Sequence, residues 1–205
     1  MVDTIQGMLI GAMRELCMDA PWALHTDVGP LIDAQAQKQI CAYVEHARAS
    51  ARVLFQLDPP KNGYFVPPVL IRVDSIADLE REVFGPVLHI ATFKSSELDR
   101  VISDINDTGY GLTFGLQTRI DDRVQHVSER IKAGNIYINR NQIGAIVGSQ
   151  PFGGAGLSGT GPKAGGPLYL SRFRKLETVD ASGSFDSVMS LTDLKTAIKA
   201  EHTPQ

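Results

Sequence analysis

The chain has 205 residues, 43% hydrophobic and 21% charged, an ordinary balance for a globular domain with some appendage. Its 20 basic and 23 acidic residues leave a net charge of −3, and the basic side chains are dispersed, which argues against nucleic acid or an anionic membrane surface as partner. Two distant cysteines, Cys17 and Cys41, and five histidines without zinc spacing argue against a disulfide framework or structural metal and point to a reducing cytoplasm.

Val2, Ile5, Leu9, Ala12 and Leu16 share one face of a helix expected over residues 2–18, stopping before Pro21. An amphipathic helix at the very start needs an earlier layer to pack on, so the sequence reads as truncated. It carries no leader-like segment and no run of about 18 apolar residues. Residues 21–32 read as loop. Asp33 is the expected N-cap of a second helix through about Ala49, with Ile40, Tyr43, Val44 and Ala47 inward. Arg52 to Leu57 alternates like a strand, Pro59 to Gly63 contains the Asn-Gly hairpin signal, and Tyr64–Val66 and Val69–Val73 read as extended.

From residue 87 the pattern becomes strand, helix, strand, helix, strand. Val87–Phe93 is followed by a helix through Ile105 capped by Ser96 with Asp99, then by a strand over Gly111–Thr118. A helix over Asp121–Lys132 follows, with Val124, Val127 and Ile131 inward and Gly134 as its terminating glycine, and then the strand Asn135–Asn139. This alternation predicts an α/β fold with a mostly parallel sheet covered by helices.

Residues 140–167 are rich in glycine and proline and poor in charge, a long loop of the kind that usually has a job. Gly154-Ala-Gly156-Leu-Ser-Gly159 spells the dinucleotide fingerprint. Pro162, Gly165, Gly166 and Pro167 cannot sustain the helix which that fingerprint must open, so it reads as loop. Residues 168–180 look strand-like, and a tail over 181–205 holds a short helix candidate near Leu191 to Ala200.

Several blocks together resemble the aldehyde dehydrogenase superfamily. They are Glu80-Arg-Glu82-Val-Phe84-Gly-Pro-Val87, Asn106-Asp-Thr-Gly-Tyr-Gly-Leu112, Gly134-Asn-Ile-Tyr-Ile-Asn139, and Pro151-Phe-Gly-Gly154 with Leu157-Ser-Gly-Thr-Gly161. Gly63-Tyr-Phe-Val-Pro67 fits ahead of them, and the match runs over about residues 3–180. Finer letters in Asn139 to Phe152, in Gly161 to Pro167 and in Thr26-Asp-Val-Gly-Pro30 are similar to the Δ1-pyrroline-5-carboxylate (L-glutamate γ-semialdehyde) dehydrogenases, as in the C-terminal half of bacterial bifunctional proline-utilisation flavoenzymes.

The resemblance implies NAD-dependent oxidation of L-glutamate γ-semialdehyde to L-glutamate in proline catabolism. It implies a partial aldehyde dehydrogenase-like catalytic domain over 1–167 without its N-terminal Rossmann domain, an oligomerisation strand within 168–180 that makes a homodimer, and the tail 181–205. Glu82 would accept hydrogen bonds from the nicotinamide ribose hydroxyls and Phe84 would pack on the ribose and nicotinamide; otherwise they are a solvated carboxylate and a core phenylalanine. Backbone amides of Gly144 and Ala145 would bind the substrate carboxylate and Phe152 would cover its methylene stem; otherwise Gly144 is a turn glycine and Phe152 a packing plug.

The resembled nucleophilic cysteine, general base and Rossmann domain would lie in a missing N-terminal portion of the same enzyme. Cys17 at a helix end and Cys41 near the apolar stripe of the second helix read as inert packing residues, so no catalytic residue is assigned. Asn139 is expected to order the loop backbone and Lys163 to be solvated. Two readings remain open: a piece of an active dehydrogenase, or a non-catalytic oligomerisation module derived from one.

Overall fold

The computed structural model describes residues 2–143, 146, 148–159 and 161–173, and the chain divides into two compact units, Met1–Ser95 and Ser96–Gln205. Both are α/β, as the alternation predicts.

The first unit contains α1 (Val2–Arg14), α2 (Ala34–Ala49), β1 (Val53–Gln56), β2 (Val69–Arg72) and β3 (Val87–Ile90). α1 ends four residues earlier than its apolar stripe suggests, and the chain turns out into an isolated parallel bridge between Met18 and Val28. α2 starts where its cap predicts: Asp33 is extended (φ −157°) and its carboxylate accepts from the Ala36 amide at 2.7 Å, satisfying one of the orphan donors of the first turn.

β2 is the middle strand, antiparallel to β1 and parallel to β3. A strand paired on both edges and covered on both faces has no solvent side, which is why Val69-Leu-Ile71 is an unbroken apolar run and almost fully buried. Ile40, Val44 and Ala47 of α2 pack on Val66, Val69, Ile71 and Val73 to make this unit's core. Tyr43 is only half-buried and Cys41 is exposed on the outer face of α2, so Cys41 is not the packing residue expected. The Asn62-Gly63 pair does not close a tight hairpin. β1 and β2 are joined by a wide loop in which Gly63 takes φ +102° for one local turn, and Tyr64–Pro68 is not strand. Pro67 and Pro68 have no N–H to give a ladder, so Pro68 contributes only its carbonyl, which accepts from the Leu57 amide, and the β1–β2 register starts at Val69.

The second unit contains α3 (Leu98–Asp107), β4 (Tyr110–Gly111), β5 (Thr113–Leu116), α4 (Asp121–Ser128), β6 (Asn135–Ile138) and β7 (Ala155–Gly156). β5 pairs parallel to β6, and β4 pairs antiparallel to β7. Ile102 of α3, Val127 of α4, and Ile131 and Ile136 form the core, with Phe114 and Leu116 of β5 against it. The predicted Ser96–Asp99 capping box does not form. A 3₁₀ turn (Ser95–Glu97) leads into α3, whose N-cap Glu97 makes no side-chain cap, and Asp99 instead reaches His126 on α4.

α4 is shorter than expected, ending at Ser128. Asn106 holds the segment after it, donating from Nδ2 to the Arg130 carbonyl and accepting at Oδ1 from the Lys132 amide, both at 2.8 Å. Gly134 therefore does not terminate that helix. Its amide donates to the Gly111 carbonyl and it sits hard against Gly153. Residues 169–173 form a 3₁₀ turn rather than the start of a strand. The expected strand at 176–179 and the helix near 191–200 lie outside the described residues.

Candidate functional site

In the first unit, the segment Arg81–Pro86 runs from a 3₁₀ turn (Ile76–Asp78) to β3 in two tight steps, Gly85 N–H to Val83 C=O (3.0 Å) and Val87 N–H to Gly85 C=O (2.8 Å). Neighbouring side chains alternate across it. Val83 turns inward onto the α2 core, while Glu82 and Phe84 on either side are exposed, Phe84 by 79%. Gly85 lies against the tip of the Ile40 side chain of α2, whose Cδ1 is 2.5 Å from where a Cβ would stand. Phe84 is thus not a core residue. An aromatic ring and a carboxylate displayed outward two residues apart can serve a flat ring beside a pair of hydroxyls, so these residues fit the ribose–nicotinamide end of a dinucleotide.

A separate cleft of about 830 Å³ on this unit is lined by Tyr43, His46, Arg52, Ile71, Asp78 and Arg81, among others, but by neither Glu82 nor Phe84. Beside it, Tyr43 meets His89 of β3 edge-on, with 2.7 Å between its hydroxyl and Nε2. Desolvation raises the Tyr43 phenol above its ordinary pKa, with Arg52 and Arg81 opposing, and burial lowers that of His89. A neutral imidazole accepting from a neutral phenol is the consistent state.

In the second unit, the loop after β6 begins with Asn139 at φ +53°, whose Oδ1 accepts from the Thr118 amide at 2.8 Å. Asn139 does order a loop backbone, though it is the loop after β5. Arg140 lies over the Tyr137 ring (5.1 Å to its centroid) and donates to Gln150 Oε1 at 3.2 Å, tying the base of the following hairpin. Ile146 and Gln150 exchange backbone hydrogen bonds across that hairpin. Gly144 and Ala145 lie outside the described residues.

Phe152 is half-buried and paired backbone to backbone with Ala164, at 3.0 and 2.9 Å. The side chain of Asn135, at the start of β6, brackets it. Nδ2 donates to the Pro151 carbonyl (2.9 Å) and Oδ1 accepts from the Gly153 amide (3.1 Å). Sequence reasoning missed Asn135, because its partners are 16 and 18 residues ahead. Lys163, expected to be solvated, is 8% exposed and packs beneath Gly153. The fingerprint-like glycines make no dinucleotide turn: Ala155 and Gly156 form β7 against β4, and the next helical element is the 3₁₀ turn at 169–173.

Among the described residues no group of three or more His, Cys, Asp or Glu could hold a metal, and no helix is long and apolar enough to cross a membrane. Cys17 is part-buried in the extended segment after α1, where its backbone amide donates to Asp27 Oδ2 at 2.9 Å.

The signature described as the aldehyde dehydrogenase family matches residues 1–179. The bifunctional protein PutA of Rhizobium meliloti is 54% identical over 164 residues, 78% of this chain and 13% of that protein. The 1-pyrroline-5-carboxylate dehydrogenase of Bacillus cereus is 35% identical over 181 residues, 86% of this chain and 34% of that protein. Among solved structures, proline utilization A of Bradyrhizobium japonicum superposes with a TM-score of 0.81 at 47% identity, covering 84% of this chain and 18% of that one. The chain therefore spans about one-eighth of the bifunctional relative and one-third of the 1-pyrroline-5-carboxylate dehydrogenase.

Proposed function

The chain belongs to the aldehyde dehydrogenase family, and on that premise we propose that it is the part of an NAD-dependent dehydrogenase that contacts cofactor and substrate, the complete enzyme oxidising L-glutamate γ-semialdehyde to L-glutamate in proline catabolism. One observation carries this reading. The chain that the aldehyde dehydrogenase signature matches over residues 1–179 is 35% identical, over 181 residues, to a protein named for 1-pyrroline-5-carboxylate oxidation, and 54% identical, over 164 residues, to a bifunctional PutA.

In this mechanism NAD, when bound, supplies the hydride acceptor. Glu82 accepts from the vicinal ribose hydroxyls, a task suited to a carboxylate because its two oxygens can each take one donor. The exposed ring of Phe84 covers the ribose–nicotinamide end, restricts its motion and keeps water from it. Phe152 covers the methylene stem of the aldehyde, and the amides of Gly144 and Ala145 take its α-carboxylate. The nucleophilic thiol and the dinucleotide fold come from a further portion of the same enzyme. The enzyme works in the cytoplasm as a homodimer.

The test is selectivity in the complete dehydrogenase. The kcat/KM for L-glutamate γ-semialdehyde should exceed that for propanal by at least about 100-fold, the contribution of a fully paired carboxylate. Comparable values would remove the substrate assignment. Glu82→Gln keeps the shape but loses a charge-assisted acceptor, so KM for NAD should rise about tenfold with melting temperature unchanged. An unchanged KM for NAD would remove Glu82 from the cofactor contacts.

A further inference from the structure

We propose that Asn135 is the positioning residue for Phe152, setting the affinity for the aldehyde without touching it; this rests on the reading of Phe152 given above. A carboxamide carries both a donor and an acceptor. Donating to the carbonyl of one residue and accepting from the amide two residues later is what a strand offers its parallel neighbour. The Asn135 side chain does this to Pro151 and Gly153, and so acts as a one-residue rung with Phe152 at its centre. Its orientation is fixed by its partners, because a carbonyl needs a donor and an amide an acceptor.

The opposite side of Phe152 is held by the two backbone bonds to Ala164. With the backbone fixed from both sides, little is left to the ring but rotation about its own side-chain bonds. The rung is itself well anchored. Asn135 is 8% exposed, its amide donates to the Leu112 carbonyl, and it is paired with Thr113 in the β5–β6 ladder. The placement of Phe152 is thereby referred to the parallel sheet rather than to the loop.

Asn106 provides an internal comparison, making the same two-ended contact to Arg130 and Lys132 around Ile131. There the bracketed residue is 7% exposed and packs in the core, so the rung serves stability. Around Phe152 the bracketed residue is a half-buried aromatic, whose free surface is available to a ligand. The same device is turned to recognition.

Other side chains do not replace it. An ionised aspartate of the same size still accepts from Gly153 but presents a charge to the Pro151 carbonyl. Serine is too short to span both partners.

The experiment uses the complete dehydrogenase with Asn135→Asp, Phe152→Ala and the two combined, measuring kcat, KM for L-glutamate γ-semialdehyde, KM for NAD and melting temperature. Asn135→Asp should raise the aldehyde KM about tenfold, leave KM for NAD unchanged and keep kcat within about twofold. Combined with Phe152→Ala it should add nothing further, since both changes remove one interaction. If Phe152→Ala raises the aldehyde KM while Asn135→Asp does not, or if the two effects multiply, the positioning role is overturned and the Phe152 reading stands. If Phe152→Ala itself leaves the aldehyde KM unchanged, the reading of Phe152 fails and the proposal with it. Should Asn135→Asp not accumulate as folded protein, Asn135→Ser, which removes the span without adding charge, is judged by the same outcomes.

Discussion

Gly134→Ala is expected to lower the melting temperature of the chain by about 10 °C or more, a large effect for one methyl group. A Cβ at residue 134 would overlap the Gly153 carbonyl oxygen and lie 2.8 and 2.9 Å from Gly153 C and Gly154 Cα. Every one of these atoms is backbone, so no rotamer change can make room. Gly153 cannot retreat easily either, since its amide is held by Asn135 and its own Cβ direction is closed by Lys163 Cα at 3.0 Å. The strain must therefore displace β6, at the expense of the Gly134–Gly111 and Asn135–Leu112 hydrogen bonds, or lift the loop off the sheet. Overpacking with backbone on both sides belongs near the upper end of its usual range, about 3 kcal/mol, which for a unit of this size corresponds to the stated shift. Thermal melts followed by circular dichroism decide it. Gly11→Ala is the control, a mid-helix glycine with nothing within 4 Å of its Cβ position, and should be neutral or slightly stabilising. A Gly134→Ala melt equal to the parent's would mean the loop yields freely, and the packing account would be wrong.

The 205-residue chain alone, given NAD and L-glutamate γ-semialdehyde, is expected to reduce no NAD above a buffer blank. Thiolate attack on an aldehyde builds an oxyanion, and losing even one aligned N–H donor costs about 10²–10³ in rate. Cys41 sits inside α2, where the surrounding amides are consumed by the helical ladder. At Cys17 the nearest amide, its own, is taken by Asp27, and its carbonyl is occupied by the amides of Asp27 and Val28. At both positions the cysteine's own amide is therefore already engaged and does not receive a developing charge. A spectrophotometric assay at 340 nm with the chain and with Cys17→Ala/Cys41→Ala should give identical baselines. NADH formation that the double substitution abolishes would assign catalysis to one of these cysteines.

The parts of the fold that were readable in the sequence depend on neighbours within a turn or two. Asp33 caps α2 because its carboxylate needs only the amide three residues on, and Ile40, Val44 and Ala47 face inward because their spacing alone decides it. The same local letters mislead where distant chain intervenes. Asn62-Gly63 signals a tight hairpin, yet Pro67 and Pro68 offer no N–H and the β1–β2 register starts at Val69. Ser96 and Asp99 spell a capping box, yet Asp99 is drawn to His126 on another helix. Gly134 looked like a helix terminator and is instead a point of contact between β6 and a loop twenty residues later. The Glu82 and Phe84 pair was legible as a family pattern, and the alternation around Val83 accounts for its outward display. Asn135 was not legible, because an asparagine at the head of a strand says nothing about which backbone will return to meet it.

The loop around Phe152 looks, by composition, like slack: glycines, prolines and little charge. Between Gly153 and Gly159 the glycines mark the reverse. Gly134 faces Gly153, Gly154 lies against Ser158, Gly156 against Gly109, and the Gly111 amide donates to the Ser158 hydroxyl oxygen. Residues without side chains are used here as mortarless joints, where two stretches of main chain touch directly. An engineer seeking a permissive place to splice in a tag or linker would be drawn to this glycine-dense stretch, and should look elsewhere, since an added residue would open a seam rather than extend a tether.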